Sequence, residues 1–527
     1  MQAADKVGIL GEVSERVLTH YSGSPSQVEA ILLDTIYDER KRLEKTRKGK
    51  STAKAKDHYS SMYRNIVNGS PLEHRDILRE VTSSFATEVV GHFSPKVYSL
   101  TTKVIPPGLN LLLNTVTPLK LAGSFLGARL TDQLKVMGDI DGLKAACERG
   151  TVVMVPTHVS NLDSIILGFG LYKLNLPPFT YGAGLNLFNN KLTGFFMSNL
   201  GAYKVDRMKK AKLYKDVLKT YAGCTIENRY HNLFFPGGTR SRSGGVERKV
   251  KKGLLGMPLD AYIRNLRANK DRPDVFIVPC TLNYQMVLEA ATLIDDHLKE
   301  VGKSRYIIED DEFSKPKRIL DFVSKIFSLS SEIQWVIGSP LDVFGNEVNQ
   351  AGESLDQRGR VVDRKKYVEI SGEYVFDKSR DTQYVHELAS EVVASFAANT
   401  VLNSTHVVCY VVWHLLCKHN EEISMYRLIR TGGRFDSLPL ADVYPELEIA
   451  IRQLRRLAKE QVVRIDASLD GKDVIAIMGE ALAHMNSYHK TAALKRRGDR
   501  LFFPDRKLLL YYQNRLDSLE ILPRKGA

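Results

Sequence analysis

With 527 residues, 43% hydrophobic and 26% charged, the chain is long enough for more than one compact unit and too apolar to be disordered. Its net charge of +14 favours anionic partners: acidic lipid surfaces, phosphorylated metabolites, acidic carrier proteins or nucleic acid. Five scattered cysteines (Cys147, Cys224, Cys280, Cys409 and Cys417) exclude a disulfide framework and a close-spaced zinc pattern, and fit a reducing compartment.

Residues 1–100 read as a polar helical region. The N-terminus lacks the basic-then-apolar order of a secretory signal. Between positions 41 and 56 stand Lys41, Arg42, Lys45, Arg47, Lys48, Lys50, Lys54 and Lys56, opposed by Glu44. Such a run is most often a solvated helix face; a contact with acidic phospholipid headgroups is the sharper alternative, at roughly 1 kcal/mol per basic residue. No aromatic residue interleaves it, which argues against nucleic acid. From 100 to 150 the sequence turns apolar, with a break at Ile105-Pro106-Pro107-Gly108. The stretch after it suits a core helix or an interfacial one. No apolar run reaches the roughly 20 residues of a bilayer span. Leu109–Leu121 is interrupted by Asn110, Asn114, Pro118 and Lys120, and Val407–Cys417 is short and contains His414. Membrane contact is therefore expected to be peripheral.

Over 101–385, short β-rich runs alternate with helical patterns, which predicts an α/β domain. The strands expected are Thr151–Pro156, Asn232–Phe235, Val275–Val278 and Gln334–Ile337. Residues 386–527 read as a helical region, with amphipathic stretches at Val385–Ala397 and Leu447–Lys459.

Four blocks carry chemistry. In the first, the strand Thr151–Pro156 runs into Thr157-His158-Val159-Ser160-Asn161-Leu162-Asp163. Ser160 and Asp163 form a capping-box-like helix start, which places His158 at the carboxyl end of a strand, where α/β proteins bind ligands. A histidine with a carboxylate one helical turn away suits a general base and its orienting group; the pair also suits a helix cap and a turn residue. The second block, Gly201 to Arg207, sets cations beside an aromatic, and Arg207 has the planar fork for a phosphate. In the third, the strand ends in Pro236-Gly237-Gly238-Thr239-Arg240-Ser241-Arg242-Ser243-Gly244: glycines for backbone approach, hydroxyl donors, and two arginines for an anion. It lacks the Lys-Ser/Thr ending of a nucleotide-binding loop. The fourth is a buried strand through Val278-Pro279-Cys280, followed by Tyr284 and Val287-Leu288-Glu289. The apolar flanks of Cys280 suggest an inert thiol.

Together and in order, these blocks resemble the glycerolipid acyltransferases, and most closely the long bacterial and mitochondrial glycerol-3-phosphate acyltransferases. The shared features are His158-x4-Asp163 (the HxxxxD pattern), the Gly201–Arg207 block, Arg240-Ser241-Arg242-Ser243-Gly244, Val278-Pro279 with Tyr284 and Glu289, the later Gly338-Ser339-Pro340, and the C-terminal His489-Lys490 and Tyr511–Arg515. The resemblance implies an α/β domain with a mixed, largely parallel sheet between N- and C-terminal helical regions. It implies acyl transfer from acyl-CoA or acyl carrier protein to glycerol 3-phosphate, giving lysophosphatidate in phospholipid biosynthesis. His158 and Asp163 are then catalytic. Arg207, Lys204, Gly238, Thr239, Arg240, Ser241 and Arg242 bind substrate, and Val278 and Pro279 shape an acyl pocket. No metal or cofactor is implied, nor nucleic acid; the partners are the two substrates and an anionic membrane surface, at the cytoplasmic face of the cell membrane. Lysophosphatidate or dihydroxyacetone phosphate is the alternative acceptor. One position departs from the family: Gly237 stands where a glutamate is usual. It keeps open a further alternative, a non-catalytic membrane-surface protein on a decayed domain.

Overall fold

The computed structural model describes residues 3–45, 50–100, 134–188, 191–301, 332–487, 489–519 and 521–522. The possible interfacial helix after Gly108 lies outside them, as do Arg47 and Lys48 of the basic run.

Four helices open the chain: α1 (Ala3–Tyr21), α2 (Pro25–Lys45), α3 (Lys50–Asn68) and α4 (Pro71–Val89). Their polar composition conceals regular apolar stripes. Val13, Val17, Leu32, Ile36, Leu78 and Phe85 are buried together against Tyr214, Val217 and Tyr221 of the α/β unit. Helix α4 starts on a capping box in which Ser70 and Glu73 exchange bonds, satisfying two amides that a helix start leaves open. Part of the basic run is held by its own helix: Arg42 pairs with Glu39 at 2.7 Å, and Lys41 lies over the Tyr37 ring.

Seven strands form the central sheet: β1 (Leu134–Gly138), β2 (Thr151–Pro156), β3 (Thr180–Gly184), β4 (Ala202–Val205), β5 (Asn232–Leu233), β6 (Val275–Tyr284) and β7 (Ile333–Ile337). Their order is β1-β7-β6-β2-β5-β3-β4. From β6 to β4 every neighbouring pair is parallel. Strand β7 runs antiparallel to β6 and carries β1 parallel to itself. The expected mixed, largely parallel sheet is present. Strand β2 matches its expected bounds. The third-block strand is shorter, ending at Leu233, because Phe235-Pro236 leads the chain into the loop. Strand β6 is longer, running six residues past Val278. Strands β1, β3 and β4 carry no clear sequence signal; β3 reads Thr180-Tyr-Gly-Ala-Gly184, and paired glycines depress strand propensity.

Alternation across the pleat divides the core. Val152 and Met154 of β2, with Phe276, Val278 and Leu282 of β6, face one apolar layer. Val153 and Val155, with Val275 and Ile277, face the other. The first layer includes α5 (Asp163–Lys173) and the buried α6 (Ser404–Lys418). The Val407–Cys417 run is therefore a core helix, and no helix among the described residues is long and apolar enough to cross a membrane. Expected helix Val385–Ala397 extends to Lys378–Asn399 and crosses position 385. Expected helix Leu447–Lys459 begins earlier, at Leu440, with Pro445 in its first turns. Near the C-terminus α7 (Arg506–Gln513) packs on α6.

The N-terminal helices are fastened by a buried ion cluster. Lys209, just beyond the second block, bonds Glu88 at 2.5 Å, lies 3.8 Å from the wholly buried Glu39, and sits over the Phe85 ring at 4.4 Å. Removing one partner of a buried ion group leaves the other desolvated and uncompensated. Lys209→Met should lower the free energy of unfolding by about 3 kcal/mol, read by urea denaturation.

Candidate active site

Strands β6, β2, β5, β3 and β4 lie in that order and all run parallel, so their carboxyl ends share one edge of the sheet. The His158 turn and the third-block loop leave the ends of β2 and β5, while the second and fourth blocks run through β4 and β6 themselves. Parallel strands direct their following loops to the same side, and this is where open α/β sheets hold ligands.

His158 lies two residues past β2. Its Nδ1 is 2.8 Å from Asp163 Oδ2, and its ring stacks on Phe235 at 4.0 Å between centroids. Asp163, wholly buried, opens α5. Its Oδ2 also accepts the amides of Val159 at 2.7 Å and Ser160 at 3.0 Å, and its Oδ1 accepts the Tyr284 hydroxyl at 2.6 Å. A carboxylate with four donors around it is held in one orientation. It fixes the imidazole with its proton on Nδ1, which leaves the Nε2 lone pair as the basic one. The capping-box expectation is half met. Asp163 accepts the Ser160 amide, but the Ser160 hydroxyl turns to Glu289 at 2.9 Å, and the helix begins at Asp163.

Glu289 joins three blocks. Wholly buried, it accepts from Ser160 Oγ and the Asn161 amide at 2.9 Å each, and pairs with Arg240 at 3.1 Å. The Ser241 amide donates to the His158 carbonyl at 2.7 Å. The third-block loop is thus tied directly to the histidine turn. Ser241 Oγ closes onto the Gly245 carbonyl at 2.8 Å, and Gly238 and Gly244 take left-handed φ values of +75° and +80°, which glycine adopts without strain. The C-terminal segment presses on the same loop. Asn514 donates to the Ser243 carbonyl at 2.8 Å, and Arg515 reaches Asn283.

Three arginines converge here. Arg240 and Arg207 both depress the basicity of His158, after burial, which is the largest cause. Arg207 is itself held below its usual value by burial and by the charges of Arg240 and Arg242. Arg242 pairs with Glu300 at 2.8 Å. Arg207 has no ion pair among the described residues, so cationic charge is left facing the histidine. That suits a phosphate.

The other expected site residues are more dispersed. Gly238 and Thr239 lie near the start of the loop, Gly238 beside the Lys251 side chain. Lys204, inside β4, turns its ammonium over the Phe188 ring at 5.6 Å. Val278 and Pro279 are buried within β6, Val278 in the layer of Met154, Leu162 and Ile166. Burial pushes the Cys280 thiol up to about 12, which leaves it inert as a nucleophile. Phe235, Tyr284 and Glu289 have site roles that the motif pattern did not assign. Tyr284 and Glu289 lie within the fourth block, but nothing in the sequence says which groups they meet.

The depressed basicity of His158 has a measurable consequence. A base is active when neutral, so the part of the acid limb of kcat/KM that His158 contributes should lie below pH 6.5. Asp163 opposes that shift, while burial, Arg240 and Arg207 drive it. Arg240→Gln should move the limb upward, because losing a neighbouring positive charge raises a histidine pKa. A pH–rate profile of the two proteins checks this.

Residues 139–283 match the acyltransferase family model. A glycerol-3-phosphate acyltransferase of Aeromonas hydrophila is 34% identical over 178 residues, which is 33% of this chain and 21% of that protein. One from Xanthomonas axonopodis is 29% identical over 184 residues, 34% of this chain and 20% of that protein. The human dihydroxyacetone phosphate acyltransferase is 31% identical over 360 residues, 66% of this chain and 48% of that protein. The chain thus spans about a fifth of the length of the bacterial relatives and about half of the human one.

Proposed function

We propose, from the premise that residues 139–283 are an acyltransferase domain, that this chain is a glycerol-3-phosphate 1-O-acyltransferase. The observation that carries it is the His158–Asp163 pair set against the cationic charge of Arg207 and Arg240. A base sits beside a phosphate site, which is what a phosphorylated alcohol needs to become a nucleophile.

The acceptor phosphate binds Arg207 and Arg240, with the Ser241, Gly238 and Thr239 segment around it. Its hydroxyl attacks the carbonyl carbon of acyl-CoA or acyl carrier protein as His158 Nε2 takes the proton. Asp163 stabilises the imidazolium that forms. The tetrahedral intermediate then collapses: the new C–O ester bond stays, the C–S bond breaks, and the departing thiolate takes the proton from Nε2. No acyl-enzyme is required. Fixing the acceptor supplies much of the rate, because it turns an encounter of two molecules into a local step. Val278 and Pro279 back the acyl side of the site.

The net charge of +14 suits anionic substrates and peripheral contact with an acidic membrane surface at its cytoplasmic face, from which the lysophosphatidate product enters the bilayer. A second acceptor, dihydroxyacetone phosphate, has a specific observation behind it: the human enzyme named for that substrate matches 66% of this chain, against 34% for the Xanthomonas one.

The deciding experiment supplies purified protein with one acyl thioester and, separately, glycerol 3-phosphate, dihydroxyacetone phosphate and lysophosphatidate. Lysophosphatidate made from glycerol 3-phosphate supports the proposal. Preference for dihydroxyacetone phosphate selects the second reading. Failure to consume the thioester with any acceptor removes both.

A further inference from the structure

The glycine at 237 opens a slot at the start of the third-block loop. A Cβ added there would fall on the carboxyl group of Glu247, ten residues further on. Glu247 reaches that position because the loop doubles back. The Lys251 amide donates to the Pro236 carbonyl at 2.7 Å, closing residues 236–251 into a ring of chain, and Ser241 binds Gly245 across it. The Glu247 carboxyl enters this ring from the returning leg and faces the main-chain amide of His158.

We propose that Glu247 is a positioning residue for acyl transfer, its carboxyl occupying the slot that a side chain at 237 would fill and holding the His158 main chain and the Arg240 loop in register. This rests on the activity proposed above. Two further observations fit it. Glu247 Oε2 is buried without a hydrogen-bond partner among the described residues. Its charged neighbours are those of the site: Arg515 draws it toward the ionised form and Asp163 opposes this, while burial, the largest cause, pushes its pKa to about 7. The His158 amide favours the ionised form, so the proposed anchoring of the turn should strengthen as Glu247 ionises.

Three variants test the assignment. In Glu247→Gly the histidine turn loses its anchor, and kcat should fall about a hundredfold, the usual consequence of misplacing a reacting group by about 1 Å. The KM for glycerol 3-phosphate and the melting temperature should change little. The exchange G237E/E247G returns a carboxyl to the slot from the other side of the loop and should recover most of that loss. Glu247→Gln keeps the volume and removes the charge. It should abolish the rise in kcat with pH near 7 that ionisation of Glu247 gives the unaltered protein. A fourth readout does not depend on turnover: the 15N–1H resonance of the His158 amide should titrate near pH 7, and stop doing so in Glu247→Gln. If the unaltered protein consumes no thioester, the proposed activity fails and the amide titration alone decides Glu247. Unchanged kcat in Glu247→Gly, an exchange no better than Glu247→Gly, or an amide indifferent to Glu247→Gln overturns the assignment.

Discussion

His158→Ala should abolish acyl transfer, lowering kcat by about 10⁴-fold, or about 5.5 kcal/mol of transition-state stabilisation. In the proposed reaction the imidazole takes the acceptor proton: its Nδ1 is committed to Asp163 at 2.8 Å, and Arg240 and Arg207 lower its basicity. Without it the hydroxyl must attack while still protonated. The KM for glycerol 3-phosphate should hold, because Arg207 and Arg240, proposed to bind its phosphate, remain. The fold should hold too. The side chain is 12% exposed and stacks on Phe235, which is itself only partly buried against the core. Steady-state kinetics with a thermal melt separate these effects, and retained turnover would remove His158 as the base.

Asp163→Asn should be nearly as damaging, about 10⁴-fold in kcat by analogy with the orienting carboxylate of a hydrolase triad. It should also cost about 3 kcal/mol of stability. The carboxylate receives the His158 ring, the Val159 and Ser160 amides and the Tyr284 hydroxyl. An amide offers one oxygen and presents an NH2 to groups that are themselves donors. If the NH2 meets Nδ1, the imidazole must carry its proton on Nε2, and the base is lost. The loss thus divides between chemistry and folding, in contrast to His158→Ala. Urea denaturation together with single-turnover kinetics measures each part. Undiminished activity in Asp163→Asn would show that orientation of the ring contributes nothing.

Much of this site is legible in the chain itself. The apolar run Thr151–Pro156 announces a buried strand, the turn after it carries His158, and the order of the four blocks carries the resemblance on which the proposed chemistry rests. Strand alternation and residue spacing are local properties, written within a few positions of each residue. The arginines are legible for a similar reason: a cluster of fixed charge needs no partner to be recognised. Other features have no local trace. The reversal of β7, the strand β3 with its two glycines, and the shared role of Glu289 all depend on which strands become neighbours in the sheet.

Gly237 shows the division most clearly. The sequence by itself determined that a histidine, a carboxylate, a glycine- and arginine-rich loop and a buried strand follow one another in an order that resembles an acyl-transfer domain. It also placed a glycine where the family it resembles usually carries a glutamate, without showing whether the space is empty. Tertiary structure decided that question, filling the slot with the carboxyl of Glu247 through a loop closed by Lys251 and Pro236. It likewise made Glu289 the common partner of Ser160, Asn161 and Arg240, residues 129, 128 and 49 positions away. The reason is physical. Motif spacing reports what one short stretch of backbone can present, whereas the surroundings of a buried charge are set by chains brought together only when the sheet assembles.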